Sequence, residues 1–569
     1  MRRQSVIRIR FITAGILALS VVLLARLYQI QILHGDSYRA QAESQYVHTV
    51  RDLFSRGSIY LRTKDGEQVS AATIQSGYLL AINPSRITDS AATYAALSSI
   101  IPLDEETFHI RAARTERTYQ EIAQRVSKAD ADTIDALDLT GVHLYRNQWR
   151  YYPGKSLAAR TIGFIGYSGD SLTGLYGLER YYDDTLHRGN ERLSVNFFAE
   201  IFSNLGGVVF DTTEGRAGDV VTSIEPTVAR TLDRVLEDMR ATYESKLTGG
   251  VIINPKTGDI YALGVTPFFD LNNRKGVAID EFRNPLVENV YELGSIIKPL
   301  TVAAGLDVGA ITPQSTYYDA GFLEMDEFTI SNYDGKGRGY VDMQTVLSQS
   351  LNTGVAHIVS EMGKEQFREY FLNLKLGTET GIDLPNETYG LVKNLDSPRD
   401  IEYATASFGQ GIALTPIAAV RALSTLASGG VLVTPHIVQR VVYENGNSHD
   451  IGFPQGAQVF STETAEDISR MLVRVVDEAL LGGTVAMEHY SIAAKTGTAQ
   501  IADQENGGYY EDKFLHSFFG YFPAYEPEFL IFLYTVEPQG VRYASETLTA
   551  PFMELARFLI NYYNIPPDR

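Results

Sequence analysis

The sequence predicts an α+β protein tethered by one N-terminal membrane helix. Three observations carry that expectation. Residues 11–33 are almost continuously apolar, long enough to cross a hydrocarbon layer that needs about 20 such residues. Strand-like runs such as Val251-Ile252-Ile253 and Phe529 to Val536 open and close a C-terminal half whose middle is patterned as helix. Strands at both ends with helices between make a layered α+β arrangement. At 569 residues the chain exceeds one ordinary core, so two or three domains are expected.

Arg2, Arg3, Arg8 and Arg10 crowd the stretch before Phe11, and an excess of positive charge marks the cytoplasmic side. Residues 1–10 are therefore read as cytoplasmic, 11–33 as a single span with its N-terminus inside, and the rest as lying outside the inner membrane. Arg26 interrupts the span and can snorkel to the outer interface. A cleaved signal peptide is the competing reading, with Ala40-Gln41-Ala42 as the small-residue site, but that site lies well past the apolar core. Residues 34–50 read as a polar helical stalk.

Composition narrows the function. Apolar content of 44% and charged content of 21% are ordinary for a globular protein, while a net charge of −20 argues against a nucleic-acid partner. The absence of cysteine excludes disulfides and thiolate chemistry. No His, Asp and Glu cluster has metal-ligand spacing, so neither a metal nor any other cofactor is expected.

Further elements follow in order. Asp65-Gly66 makes a hairpin turn, and residues 88–140, with Pro102 and Gly141 as punctuation, read as helices packing on a sheet. The tyrosines of 151–182 read as packing residues. Val228 to Met239 is a helix, capped near Glu225 or Thr227. Lys256-Thr257-Gly258 follows Asn254-Pro255 and reads as the turn of a hairpin between 251–253 and 260–263. Lys364 to Leu376 is an amphipathic helix ended by Gly377, with Phe367, Tyr370, Phe371 and Leu374 on one face. A last helix covers Phe552 to Tyr563.

Chemistry concentrates at Ser295-Ile296-Ile297-Lys298. A serine hydroxyl needs an adjacent base to become a nucleophile, and positions three apart share a helix face. Among the lysines only Lys298 has a serine three residues before it. It can act as a base only when neutral, which requires burial or a neighbouring cation such as Lys495. Pro299 is tolerated in a first helical turn and Gly294 marks a tight entry. The serine thus sits near a helix N-terminus, whose partial positive charge favours a developing oxyanion.

Ser295-x-x-Lys298, then Ser350-Leu351-Asn352, then Lys495-Thr496-Gly497, in that chain order, resembles the motif set of the penicillin-recognising serine acyltransferases. Arg56-Gly57-Ser58-Ile59-Tyr60 and Arg150-Tyr151-Tyr152-Pro153 add a resemblance to the monofunctional, class B penicillin-binding proteins. Leu61 departs from that family's pattern, standing where an aspartate is usual. Lys256-Thr257-Gly258 and Ser194-Val195-Asn196 repeat two motifs on the wrong side of the nucleophile. The resemblance implies an elongated pedestal over 34–216 and a penicillin-binding, serine β-lactamase-like transpeptidase domain over 217–569, with a central antiparallel sheet and helices. It implies that Ser295 attacks the penultimate D-alanine of a stem pentapeptide, that Lys298 takes its proton, and that Ser350 relays a proton to the leaving amine. Asn352 would orient the donor peptide, Lys495 would stabilise negative charge, and Thr496 and Thr498, beside Gly497, would bind the D-alanine carboxylate. The N–H groups of Ser295 and Thr498 would form the oxyanion hole.

Peptidoglycan stem peptides and β-lactams are the implied ligands. A SEDS-family glycan polymerase and other divisome or elongasome membrane proteins are the implied partners. Length and the lack of long insertions lean toward the division type. Two alternatives stand beside this reading. One is a D,D-carboxypeptidase or β-lactamase, for which Glu369-Tyr370-Phe371-Leu372-Asn373 offers a deacylation-like string; the other is a non-catalytic penicillin-binding scaffold or sensor. His357, His489 and His516 are nearest the motifs in sequence and are read as packing residues.

Overall fold

The computed structural model describes residues 56–188 and 217–569, apart from 170, 455 and 504, together with positions 19, 20, 23, 26 and 28. The expected span at 11–33, the stalk at 34–50 and the Ser194-x-Asn196 repeat therefore lie largely or wholly outside the described residues. Among the described residues no helix is long and apolar enough to cross a membrane.

The chain divides into two compact units. The described core of the first is Ile74–Tyr151, where the far end of strand Gln68–Ile82 pairs antiparallel with Gln120–Val126. Helices Ser90–Ser98, Glu105–Ala112 and Lys128–Asp135 cover it, burying Leu80, Ile82, Leu97, Phe108 and Ile134. Each helix begins at a side chain that accepts a backbone N–H, Asp89, Asp104 and Ser127 in turn. Helical spacing alone does not find the strand at Gln120–Val126. Pairing with residues 78–82 decides it, an instance of tertiary contacts overriding local pattern.

The second unit contains Gly57–Thr73, Tyr152–His187 and the described residues from 217 to Arg569. Its centre is a five-stranded antiparallel sheet ordered Ala493–Ala502, Tyr509–Phe522, Phe529–Val536, Leu247–Ile253, Ile260–Thr266. The hairpin at 254–259 closes as its composition predicts: Asn254 Oδ1 accepts the N–H groups of Lys256 and Thr257, and Gly258 takes φ +87°. Period two sorts the faces of Tyr509–Phe522. Phe518 stacks on Phe552 of the C-terminal helix Ala544–Tyr563, and a Cβ on Gly520 would strike the same ring. Ser517 and Tyr521 point the other way, Ser517 to the Leu293 carbonyl and Tyr521 to Ser469 of helix Thr462–Arg474. Helix Pro226–Thr242 starts where Glu225 Oε2 accepts the Val228 N–H at 2.6 Å. Tyr152 is buried and its hydroxyl donates to Glu179 Oε1 at 3.2 Å, so this tyrosine packs as expected.

Candidate active site

Gly294–Ile297 forms a 3-10 turn that runs directly into helix Lys298–Asp307, with Pro299 in its first turn. Residues i and i+3 of a 3-10 turn eclipse, so Ser295 and Lys298 lie on one side. Gly294 holds φ +65°, and a Cβ there would sit 3.0 Å from the Thr498 carbonyl oxygen. Gly497 is equally confined: a Cβ would meet Ser517 Oγ at 2.4 Å and the Leu293 carbonyl oxygen at 2.6 Å. Two glycines thus let the nucleophile turn press onto the strand that carries Lys495. Gly409 and Gly411, both at positive φ, back the same turn, with Gly294 N–H donating to the Gly409 carbonyl at 3.2 Å.

Ser350 lies in the short link between helices Met343–Ser348 and Asn352–Met362 and takes φ +55°, an uncommon value for serine. Lys298 Nζ donates to the Ser350 carbonyl at 2.5 Å and to Ser350 Oγ at 3.2 Å. The amine that spacing aims at Ser295 therefore finds its hydrogen bonds at Ser350, and the Ser295 hydroxyl makes none among the described residues. Lys298 is fully buried and Lys495 is 3% exposed. Burial first, and the nearby Lys495 charge second, hold the Lys298 amine well below the ordinary lysine range. Burial brings Lys495 down to about 8, so it keeps its proton near neutrality, while Lys298 is the more readily deprotonated of the pair.

Ser295, Ser350, Asn352, Lys495, Thr496 and Thr498 all line one cleft of about 1000 Å³, with Lys298 beneath its floor and Gly497 packed behind it. Asn352 Nδ2 donates to the Ser331 carbonyl at 2.9 Å. Thr498 Oγ1 accepts the Ala544 N–H at 3.0 Å, which leaves its own O–H to donate into the cleft. Sequence reasoning missed Asn332, Tyr333, Gln500, Arg542 and Tyr543, which also line the cleft. The last helix begins at Ala544 rather than at Phe552, so Arg542 and Tyr543 stand at a helix start that the sequence pattern does not mark.

The decoys and histidines fall elsewhere, and His489 is exposed rather than packed as expected. Glu369 is exposed on helix Lys364–Asn373 and is not among the cleft residues; Phe367 and Phe371 of that helix are buried, as its pattern predicts. The helix closes at Lys375, which takes φ +58°, rather than at Gly377. His516 is buried against Thr547 Oγ1 and the Arg542 carbonyl, at 2.9 and 3.0 Å. Burial pulls its imidazole to about 4. His357 stacks on Tyr317 with ring centroids 5.2 Å apart.

Residues 248–556, more than half the chain, match the penicillin binding protein transpeptidase domain. The chain belongs to the class B penicillin-binding proteins. This class B protein also matches the penicillin-binding protein dimerisation domain over residues 54–206. It is 29% identical over 537 residues to stage V sporulation protein D of Bacillus subtilis, covering 93% of this chain and 81% of that one. To the peptidoglycan D,D-transpeptidase FtsI of Escherichia coli it is 26% identical, over 99% of this chain and 92% of the relative. Its fold is similar to that of penicillin binding protein 2X from Streptococcus thermophilus, with a TM-score of 0.71, 18% identity, and coverage of 89% of this chain and 79% of the other.

Proposed function

We propose that this class B penicillin-binding protein is a serine D,D-transpeptidase that cross-links peptidoglycan stem peptides and is acylated by β-lactams at Ser295. The observation that carries the reading is the fully buried Lys298, its amine held well below the ordinary lysine range, beneath a cleft that also holds Ser295, Ser350 and Lys495. As donor peptide enters, the Ser295 hydroxyl moves its proton to Lys298 Nζ and its oxygen attacks the penultimate D-alanine carbonyl. The backbone N–H groups of Ser295 and Thr498 stabilise the oxyanion, which two converging donors can lower by several kcal/mol, about 3 for one donor. The Lys298 proton passes through the Ser350 hydroxyl, already at 3.2 Å from Nζ, to the departing D-alanine amine. An amine of a neighbouring stem then displaces Ser295 and completes the cross-link.

Lys495, charged at neutral pH, draws the terminal carboxylate, and the Thr496 and Thr498 hydroxyls donate to it. Asn352 orients the donor peptide through its anchored amide. The exposed position of Glu369, outside the cleft, disfavours the hydrolytic alternative, because no carboxylate from that helix is placed to activate water. An anchor at 11–33 with residues 1–10 in the cytoplasm, a pedestal over 34–216, a catalytic domain over 217–569 and a membrane glycan polymerase as partner complete the reading, together with a division-type role. The test is labelling by a fluorescent penicillin. Wild type should label and Ser295→Ala should not; equal labelling would overturn the nucleophile assignment.

A further inference from the structure

Behind the Ser350–Asn352 link lies a buried carboxylate that the mechanism above does not use. Asp319, 1% exposed, ends strand Thr316–Asp319. Its oxygens accept from four groups: the Gly321 N–H at 3.0 Å, Asn332 Nδ2 at 3.0 Å, the Arg338 N–H at 3.1 Å and the Thr353 hydroxyl at 2.8 Å. No lysine or arginine side chain forms an ion pair with it among the described residues. A buried carboxylate without a counter-cation is costly unless donors saturate it, and these donors come from three separate segments. Asn332 and Thr353 are themselves buried, at 3% and 4% exposure. Asn332 Oδ1 accepts the Thr353 N–H at 3.3 Å, and the Tyr317 hydroxyl lies 3.1 Å from Thr353 Oγ1. Because the threonine hydroxyl gives its single proton to Asp319, it accepts from Tyr317.

The chain positions of these partners give the network its meaning. Thr353 directly follows Asn352, and Asn332 directly follows Ser331, whose carbonyl holds the Asn352 amide at 2.9 Å. One carboxylate thus fixes both the start of the Asn352 helix and the strand end that grips the Asn352 side chain. A carbonyl acceptor at Nδ2 also settles which end of the amide is nitrogen. The second Nδ2 hydrogen and Oδ1 are then presented to the cleft in a set orientation.

We propose that Asp319 is a positioning residue for acylation, acting through Asn352 by locking the Ser331 carbonyl and the Asn352–Thr353 helix start against each other. The inference rests on the acyl-transfer reading of the cleft. In Asp319→Asn an amide replaces one acceptor oxygen and opposes a donor, so the two segments lose register. Misplacement of a binding group by about 1 Å costs on the order of 100-fold in rate. The acylation rate constant per folded molecule should therefore fall about 10- to 100-fold for benzylpenicillin, whose side-chain amide Asn352 can hold. It should fall far less for 6-aminopenicillanic acid, which lacks that amide.

Asp319→Asn added to Asn352→Ala should slow acylation little beyond Asn352→Ala alone, since coupled groups are not additive. Thr353→Val, which removes one donor, should reproduce the penicillin-selective loss, and Thr353→Ser should restore it; this pair decides the matter if Asp319→Asn does not fold. Equal losses for both β-lactams, wild-type rates, or additive effects in the double variant would each overturn the proposal. Ser295→Ala, run alongside, separates the two readings: loss of labelling there with wild-type behaviour of Asp319→Asn refutes the positioning role alone.

Discussion

Replacing Lys495 by methionine should stabilise the protein while disabling it. Lys495 is 3% exposed, so water screens little of its burial. The drop from an ordinary 10.5 to about 8 corresponds to about 3 kcal/mol at 1.36 kcal/mol per tenfold change in proton affinity. The folded value lies below the unfolded one, so the unfolded chain binds more protons between about pH 8 and pH 10.5. Stability therefore rises with pH across that window, and the native state carries the whole cost below pH 8. Methionine keeps the volume, removes the cost and gives up the hydrogen bond from Nζ to the Thr496 carbonyl at 3.0 Å, worth about 1–2 kcal/mol. The variant should gain about 1–2 kcal/mol at pH 7, and removing the Lys495 charge also relieves Lys298, in the same direction. Urea unfolding of wild type and Lys495→Met at pH 7 and pH 10 measures it. A variant no more stable at pH 7, or a gain that persists undiminished at pH 10, would refute the reasoning.

Three other outcomes follow from the same geometry. The rate of penicillin acylation should decline as pH rises through about 8, where Lys495 loses its charge, and Lys495→Arg should carry that decline to higher pH. Gly497→Ala should cost about 1–3 kcal/mol of stability and slow Ser295 labelling, because its methyl would force apart Ser517 and the Leu293 carbonyl; calorimetry and labelling measure the two effects. Glu369→Gln should leave the lifetime of the penicilloyl-enzyme unchanged, and a lengthened lifetime would place that carboxylate in deacylation.

What the sequence disclosed depended on how local the signal was. Ser295 and Lys298 are one turn apart, so their placement on one side of the turn shows as a spacing; the Asn254–Gly258 turn and the Glu225 cap announce themselves the same way. Strands of the sheet were legible from the apolar runs at 251–253 and 529–536, while its antiparallel arrangement came from the family resemblance. The positive φ of Ser350 was not legible, because no glycine advertised it, and the pairing of Lys298 with Ser350 was reached through the family resemblance alone. Nor could Asp319, Asn332 and Thr353 be grouped in advance. They lie in three separate segments with no shared period, and only the folded chain brings their polar atoms within 3.3 Å.

The strand Ala493–Ala502 stands at the rim of its sheet, paired on one flank alone with Tyr509–Phe522, while Ala494, Lys495, Thr496, Thr498 and Gln500 open onto the cleft. A rim of this kind offers unspent main-chain donors and acceptors to any extended chain laid beside it. A ligand that docks there is gripped by features every peptide shares, whatever its side chains. Tolerance for varied wall chemistry and vulnerability to rigid peptide mimics would then have one origin, and neither could be traded away without rebuilding the sheet.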